Sequence, residues 1–151
     1  MLSSPVTISA GVFGANFQIP QIWPYHAALM ISGLSLMAAG AILATKRFRK
    51  NRWWLKTHKT LGPTGAIVSA VGLFVAIYMV SASGAGHFRV PHAFLGAAAL
   101  AFAFATPILG YARFRYLNKP KIRTVHVWFG RIAIILMAAN VISGLILAGV
   151  V

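Results

Sequence analysis

Residues 124–150 read TVHVWFGRIAIILMAANVISGLILAGV, a near-continuous apolar run with His126 close to its start. About 20 apolar residues suffice to cross a bilayer, so this run is long enough to span one. Three similar runs precede it, at 27–44, 62–80 and 93–112. Each also has a histidine at its entrance, so that His26, His58, His92 and His126 fall 32, 34 and 34 residues apart. The spacing resembles a soluble helical repeat, but the unbroken hydrophobicity favours a membrane bundle over stacked soluble repeats. The expectation is an all-α transmembrane four-helix bundle. Its spans lie at about 26–45, 56–80, 91–112 and 124–150, within one membrane domain at 26–151 that follows a leader at 1–25.

Composition agrees. The chain is 59% hydrophobic and its mean hydropathy is +0.79, well above an ordinary soluble domain. It contains no Asp, no Glu and no Cys. That removes carboxylate acid–base pairs, carboxylate ligands for Mg or Ca, and carboxylate proton relays. It also removes disulfides, thiolate haem ligation, iron–sulfur ligands and thiol catalysis. Histidine, methionine, tyrosine and the main-chain carbonyl remain as metal ligands. Residues 1–20 lack a basic segment followed by an apolar one, and so do not read as a cleaved signal peptide.

A net charge of +14 raises nucleic acid as a partner, and its distribution argues against it. Seven Lys/Arg lie between Lys46 and Lys59, six between Arg113 and Arg131, and only Arg89 belongs to the opposite side of a four-span chain. Such asymmetry is the positive-inside pattern, which places the basic loops in the cytoplasm and both termini outside. The basic residues are then topology signals and contacts to anionic membrane lipid. A prokaryotic plasma membrane is the expected location, and no nucleic-acid partner is expected.

Span direction sorts the histidines. Spans one and three enter from outside, so His26 and His92 share the outer level. Spans two and four enter from the cytoplasm, so His58 and His126 share the inner level. Each pair sits on non-adjacent spans, which can stand diagonally across a four-helix core. Imidazoles inside a membrane are expensive and usually functional, and a facing pair can ligate haem iron from both sides. A four-ligand zinc site is not feasible, because the histidines divide between opposite membrane faces.

The residues on the histidine faces fit a flat ligand. Gly62, Gly96 and Gly130 each follow a histidine by four residues, hence on the same helix face; Met30 takes that place in the first span. Gly40, Gly72, Thr106 and Asn140 follow by fourteen, and Ala44, Ala76, Gly110 and Gly144 by eighteen. Small residues at both ends of each span suit two stacked haems, one per leaflet; the competing explanation is close helix packing. Arg131, five residues beyond His126, is a candidate partner for a haem propionate, and Lys59 has the same two possible roles, propionate or lipid phosphate. His87 and Arg89 lie in the outer loop near His92 and are candidates for binding the outer haem's propionates or for guiding a reductant or partner; a plain solvated loop is the competing explanation for His87.

Six segments in order carry a family resemblance: His-Ala-Ala-Leu-Met at 26–30, Trp-Trp-Leu-Lys-Thr-His at 53–58, His-Ala-Phe-Leu-Gly at 92–96, Thr-Pro-Ile-Leu-Gly at 106–110, His-Val-Trp-Phe-Gly-Arg at 126–131 and Ala-Asn-Val-Ile-Ser-Gly-Leu at 139–145. Together they resemble the cytochrome b561 superfamily over about residues 25–147, and particularly the core found with DOMON domains and in ferric-reductase-like relatives. The resemblance implies two haem b groups, one held by His26 and His92 and the other by His58 and His126. It also implies transmembrane electron transfer. The substrate motifs of the ascorbate-type members have no clear counterpart here, nor do their flanking helices or a DOMON domain. The electron donor and acceptor, whether quinol, soluble redox protein or small reductant, are therefore expected to engage through other protein subunits or partner chains. The alternatives are a haem-free structural or anchor subunit of a membrane complex, and a transporter or channel.

Overall fold

The computed structural model describes residues 7–9, 16–18, 22–45, 48, 53–115 and 119–150. Most of the expected leader and most of the first basic loop lie outside these residues. Four helices account for nearly all the rest: α1 (Trp23–Leu43), α2 (Trp54–Ala82), α3 (Pro91–Arg115) and α4 (Lys119–Leu147). All four are long and apolar enough to cross a membrane. At 1.5 Å per residue they extend about 31 to 44 Å, against about 30 Å of bilayer hydrocarbon.

The helix bounds follow local chemistry. Proline near the first turn is preorganised for helix, and it opens α1 at Pro24, α3 at Pro91 and α4 at Pro120. The basic flanks prove helical as well, so α4 begins at Lys119 and α3 runs on to Arg115, beyond the expected spans. Arg113 and Arg115 in the last turn of α3 complement its C-terminal dipole. Pro63 and Pro107 interrupt the hydrogen-bond ladders of α2 and α3 without ending them, as membrane helices tolerate. α4 stops at Gly149, whose φ is +70°, with Val150 N–H bonded back to the Leu145 carbonyl in a Schellman-type cap. In the leader, Thr7–Ser9 (β1) pairs antiparallel with Asn16–Gln18 (β2), Ile8 opposite Phe17. This hairpin departs from a purely helical chain, and strands of three residues are too short to show a period-2 pattern in sequence.

The bundle is built from two helical hairpins. α1 packs along α2 and α3 along α4; α1 also touches α4 and α2 touches α3. α1 and α3, like α2 and α4, stand across the diagonals without close backbone contact. Small residues set the first hairpin's spacing. A Cβ on Gly65 would lie 2.7 Å from the Gly33 carbonyl oxygen, and a Cβ on Gly33 would lie 2.8 Å from the Gly65 oxygen and collide with Ser69. The helices approach here as closely as backbone allows, which is how membrane helices gain packing energy where hydrophobicity offers none. Mid-bundle, Met37, Ala99, Ala103, Ala133 and Met137 form a buried cluster closed by Leu34, Phe102 and Leu136. The outward faces carry the large apolar side chains, among them Ile67, Phe74, Ile108, Ile135 and Ile142.

Candidate functional site

The four histidines meet in two pairs, one at each end of the bundle. His26 of α1 and His92 of α3 have ring centres 6.2 Å apart and planes at 87°. His58 of α2 and His126 of α4 have ring centres 6.0 Å apart and planes at 89°. Both pairs bridge the diagonals that the helix packing leaves open. A metal–imidazole bond of about 2.0–2.1 Å puts the metal about 3.2 Å from a ring centre, so two imidazoles on opposite sides of one ion stand about 6.4 Å apart. Both observed spacings match that value closely.

Each ring has its Nδ1 already engaged. His26 Nδ1–H donates to the Gly72 carbonyl at 2.9 Å, His58 to the Gly40 carbonyl at 2.8 Å, and His126 to the Thr106 carbonyl at 2.8 Å. His92 donates instead to Ser143 Oγ at 3.1 Å. A protonated, hydrogen-bonded Nδ1 leaves Nε2 as the unprotonated nitrogen available to a metal.

A cavity of about 640 Å³ adjoins the first pair, bounded by His26, His92, Met30, Gly96, Asn140 and Gly144 among others. Its walls come from all four helices and, at the mouth, from His87 and Phe88. Asn140 is 3% exposed and its Oδ1 has no hydrogen-bond partner. An apolar chamber of this size holding two facing imidazoles fits a haem. At the other pair, Trp54 stacks near His58 with ring centres 6.3 Å apart. A smaller pocket of about 240 Å³ at that end is lined by Trp54, Leu55, Arg113, Phe114 and Arg123. Lys59 Nζ sits 3.9 Å over the Phe114 ring. The cations the second pair's surroundings offer an anionic group are therefore Lys59, Arg113 and Arg123. Among the described residues the histidines do not gather in groups of three or more.

The other expected site residues divide. Gly96 lies in the cavity wall against Asn140, where a Cβ would stand 2.9 Å from Asn140 Nδ2. Gly62 faces open space, and Gly130 faces the Thr106 methyl at 3.4 Å from an added Cβ. Gly40 and Gly72 are buried between α1 and α2, and their part is to offer carbonyls to histidines on the neighbouring helix. Arg131 is not brought to the histidines. Five residues beyond His126 it is turned about 140° around the helix, and its guanidinium stacks over Trp128, 5.2 Å from the ring, on the exposed face. His87 is exposed, with a 3.4 Å contact to Ser81 Oγ.

Sequence reasoning gave Ser143 no role, and did not show that Gly110 and Gly144 lie against histidine rings. A Cβ on Gly144 would lie 2.8 Å from His92 Cε1, and one on Gly110 would lie 3.0 Å from His126 Cε1. Both glycines make room for an imidazole, and Gly144 also lines the cavity beside His26 and His92. Their position eighteen residues past a histidine was visible; which ring they face depends on helix pairing.

No curated protein and no solved structure matches the chain. A family model described as eukaryotic cytochrome b561 matches residues 25–145. That description lends nothing to the expected prokaryotic membrane. The stretch matched takes in all four histidines, the glycines and carbonyls around them, and the four apolar helices that mark an integral membrane protein. The chain belongs to the cytochrome b561 family, and with it to the haem-binding cytochromes that carry electrons across membranes.

Proposed function

We propose that this protein is a di-haem electron-transfer cytochrome, with His26 and His92 as the axial ligands of one haem b and His58 and His126 as those of the other. The observation that carries the proposal is the pair of diagonal imidazole contacts at 6.2 and 6.0 Å, with all four Nδ1 atoms already hydrogen-bonded. When bound, haem supplies a one-electron ferric/ferrous couple. The protein's residues do the rest. The carbonyls of Gly72, Gly40 and Thr106 and the hydroxyl of Ser143 hold each ring in one tautomer and one orientation. Two histidines would hold each haem, and a group held from both sides would favour electron transfer over oxygen binding. The apolar walls exclude water, and the acid-free, basic surroundings favour the reduced state.

Two levels of histidine suit transfer across a membrane. Three of the four Nδ1 bonds reach a position fourteen residues into a neighbouring antiparallel helix, which sets the two levels about 21 Å apart along the bundle. By the positive-inside pattern, Lys59, Arg113 and Arg123 would lie with His58 and His126 at the cytoplasmic face, and both termini with His26 and His92 outside. Donor and acceptor, a quinol, soluble redox protein or small reductant, would then engage opposite ends, alone or through partner subunits.

A pyridine haemochrome assay with protein quantitation tests the proposal. Two haem b per chain is the expected result, and a haem-free preparation refutes it. His58→Ala is expected to lose one haem and keep the other, as is His92→Ala. The double variant His58→Ala/His126→Ala should lose no more than His58→Ala; loss of both haems would refute the pairing.

A further inference from the structure

Three of the four histidines donate directly to a main-chain carbonyl, and each carbonyl stands fourteen residues past another histidine: Gly40 past His26, Gly72 past His58 and Thr106 past His92. The fourth such position is Asn140, past His126. Its carbonyl lies within reach of the His92 ring, but the short, well-formed contact of that ring is to Ser143, which stands between them. His92 Nδ1–H donates to Ser143 Oγ at 3.1 Å, and the Ser143 hydroxyl donates onward to the Asn140 carbonyl at 2.9 Å. The break in symmetry has a steric setting. His92 rests on Gly144, and the buried Asn140 side chain occupies the space over Gly96.

The two kinds of acceptor are not equivalent. An amide carbonyl is a stronger acceptor than an alcohol oxygen. A stronger acceptor draws the Nδ1 proton further and makes Nε2 a more basic ligand, which stabilises the oxidised metal. We infer that Ser143 is a positioning residue that keeps His92 the least basic of the four ligands, and so raises the reduction potential at the His26/His92 site above the value a direct carbonyl bond would set. This rests on the di-haem reading. Ser143 touches neither iron nor substrate in this role; it acts through His92.

The test is a spectroscopic redox titration of the full-length holoprotein in a His58→Ala background, which leaves the His26/His92 site alone to titrate. Ser143→Ala frees the Asn140 carbonyl to accept from His92 directly. The expected result is a three- to tenfold shift of the redox equilibrium toward the oxidised form, about 30–60 mV downward at 59 mV per tenfold for one electron. Ser143→Thr keeps the hydroxyl and should keep the midpoint. An unmoved or raised midpoint in Ser143→Ala overturns the inference, as does an equal shift in Ser143→Thr. Ser143→Gly, which removes the hydroxyl and leaves no methyl, is the second variant; haem loss in both Ala and Gly forms assigns Ser143 a structural role and overturns the inference too. Absence of haem from the wild-type protein is a failure of the di-haem reading, whereas haem with an unmoved midpoint sinks this inference alone.

Discussion

His26 Nδ1 lies 2.9 Å from the Gly72 carbonyl oxygen, and Gly72 stands fourteen residues past His58, whose own Nδ1 is bonded to Gly40, fourteen residues past His26. The first helical hairpin thus orients both its histidines by reciprocal bonds, each helix serving the other's imidazole. The second hairpin repeats the device from His126 to Thr106, and through Ser143 from His92 to Asn140. Ligand geometry in one site and helix pairing across the whole bundle are therefore one and the same constraint.

Adding a methyl group at Gly72 disturbs that constraint. An alanine Cβ there would stand 3.0 Å from Met30 Sδ and 3.2 Å from Leu29 Cβ, so α1 must give way. Overpacking of this kind costs about 1–3 kcal/mol. Gly72→Ala should lower the detergent unfolding midpoint and the haem content of the His26/His92 site. Gly62→Ala, with nothing within 4 Å of its Cβ, should leave stability unchanged in the haem-free protein. A larger residue, Gly62→Leu, should reduce haem at the His58/His126 site without lowering the stability of the haem-free chain.

The two glycines beneath the rings should discriminate between the sites. Gly144→Ala brings a methyl to 2.8 Å from His92 Cε1, and Gly110→Ala brings one to 3.0 Å from His126 Cε1. Each should strip or weaken haem at its own site only. Haem-to-protein ratios, with low-temperature spectra to separate the two bands, check this; loss at both sites from either variant would contradict it.

Arg131→Gln should leave haem content and both midpoints where they are. The side chain stacks on Trp128 on the outward face, turned away from His126. Arg113→Gln and Arg123→Gln line the pocket beside Trp54 and should shift the His58/His126 midpoint downward, because each removes a positive charge that favours the reduced state. A shift from Arg131→Gln equal to theirs would contradict this placement.

Met137 is fully buried at 0% exposure in the cluster between the two sites. Met137→Ala should cost about 2–5 kcal/mol, in the range of buried large-to-small changes. Equilibrium unfolding in a mixed detergent is the measurement. No histidine belongs to this cluster, so the folded variant should keep its haem content.

The sequence by itself determined a good deal about this protein. Four apolar runs fixed four helices, because a bilayer leaves a chain this hydrophobic few other ways to satisfy its backbone. The spacing and alternating direction of those runs fixed which histidines share a level, since depth follows from chain direction alone. Helix ends were less legible: Lys119 and Arg115 proved helical because basic side chains favour helix and tolerate its water-facing end. The tertiary structure decided everything that depends on rotation about the helix axes. It turned Arg131 outward while keeping Gly130 inward, it gave Gly40 and Gly72 carbonyls that accept from their neighbours' histidines, and it placed Gly110 and Gly144 under imidazoles. It also put Ser143 between His92 and Asn140. A one-dimensional pattern specifies which residues share a face, but which face meets which neighbour is settled only when small residues such as Gly33 and Gly65 let two backbones touch.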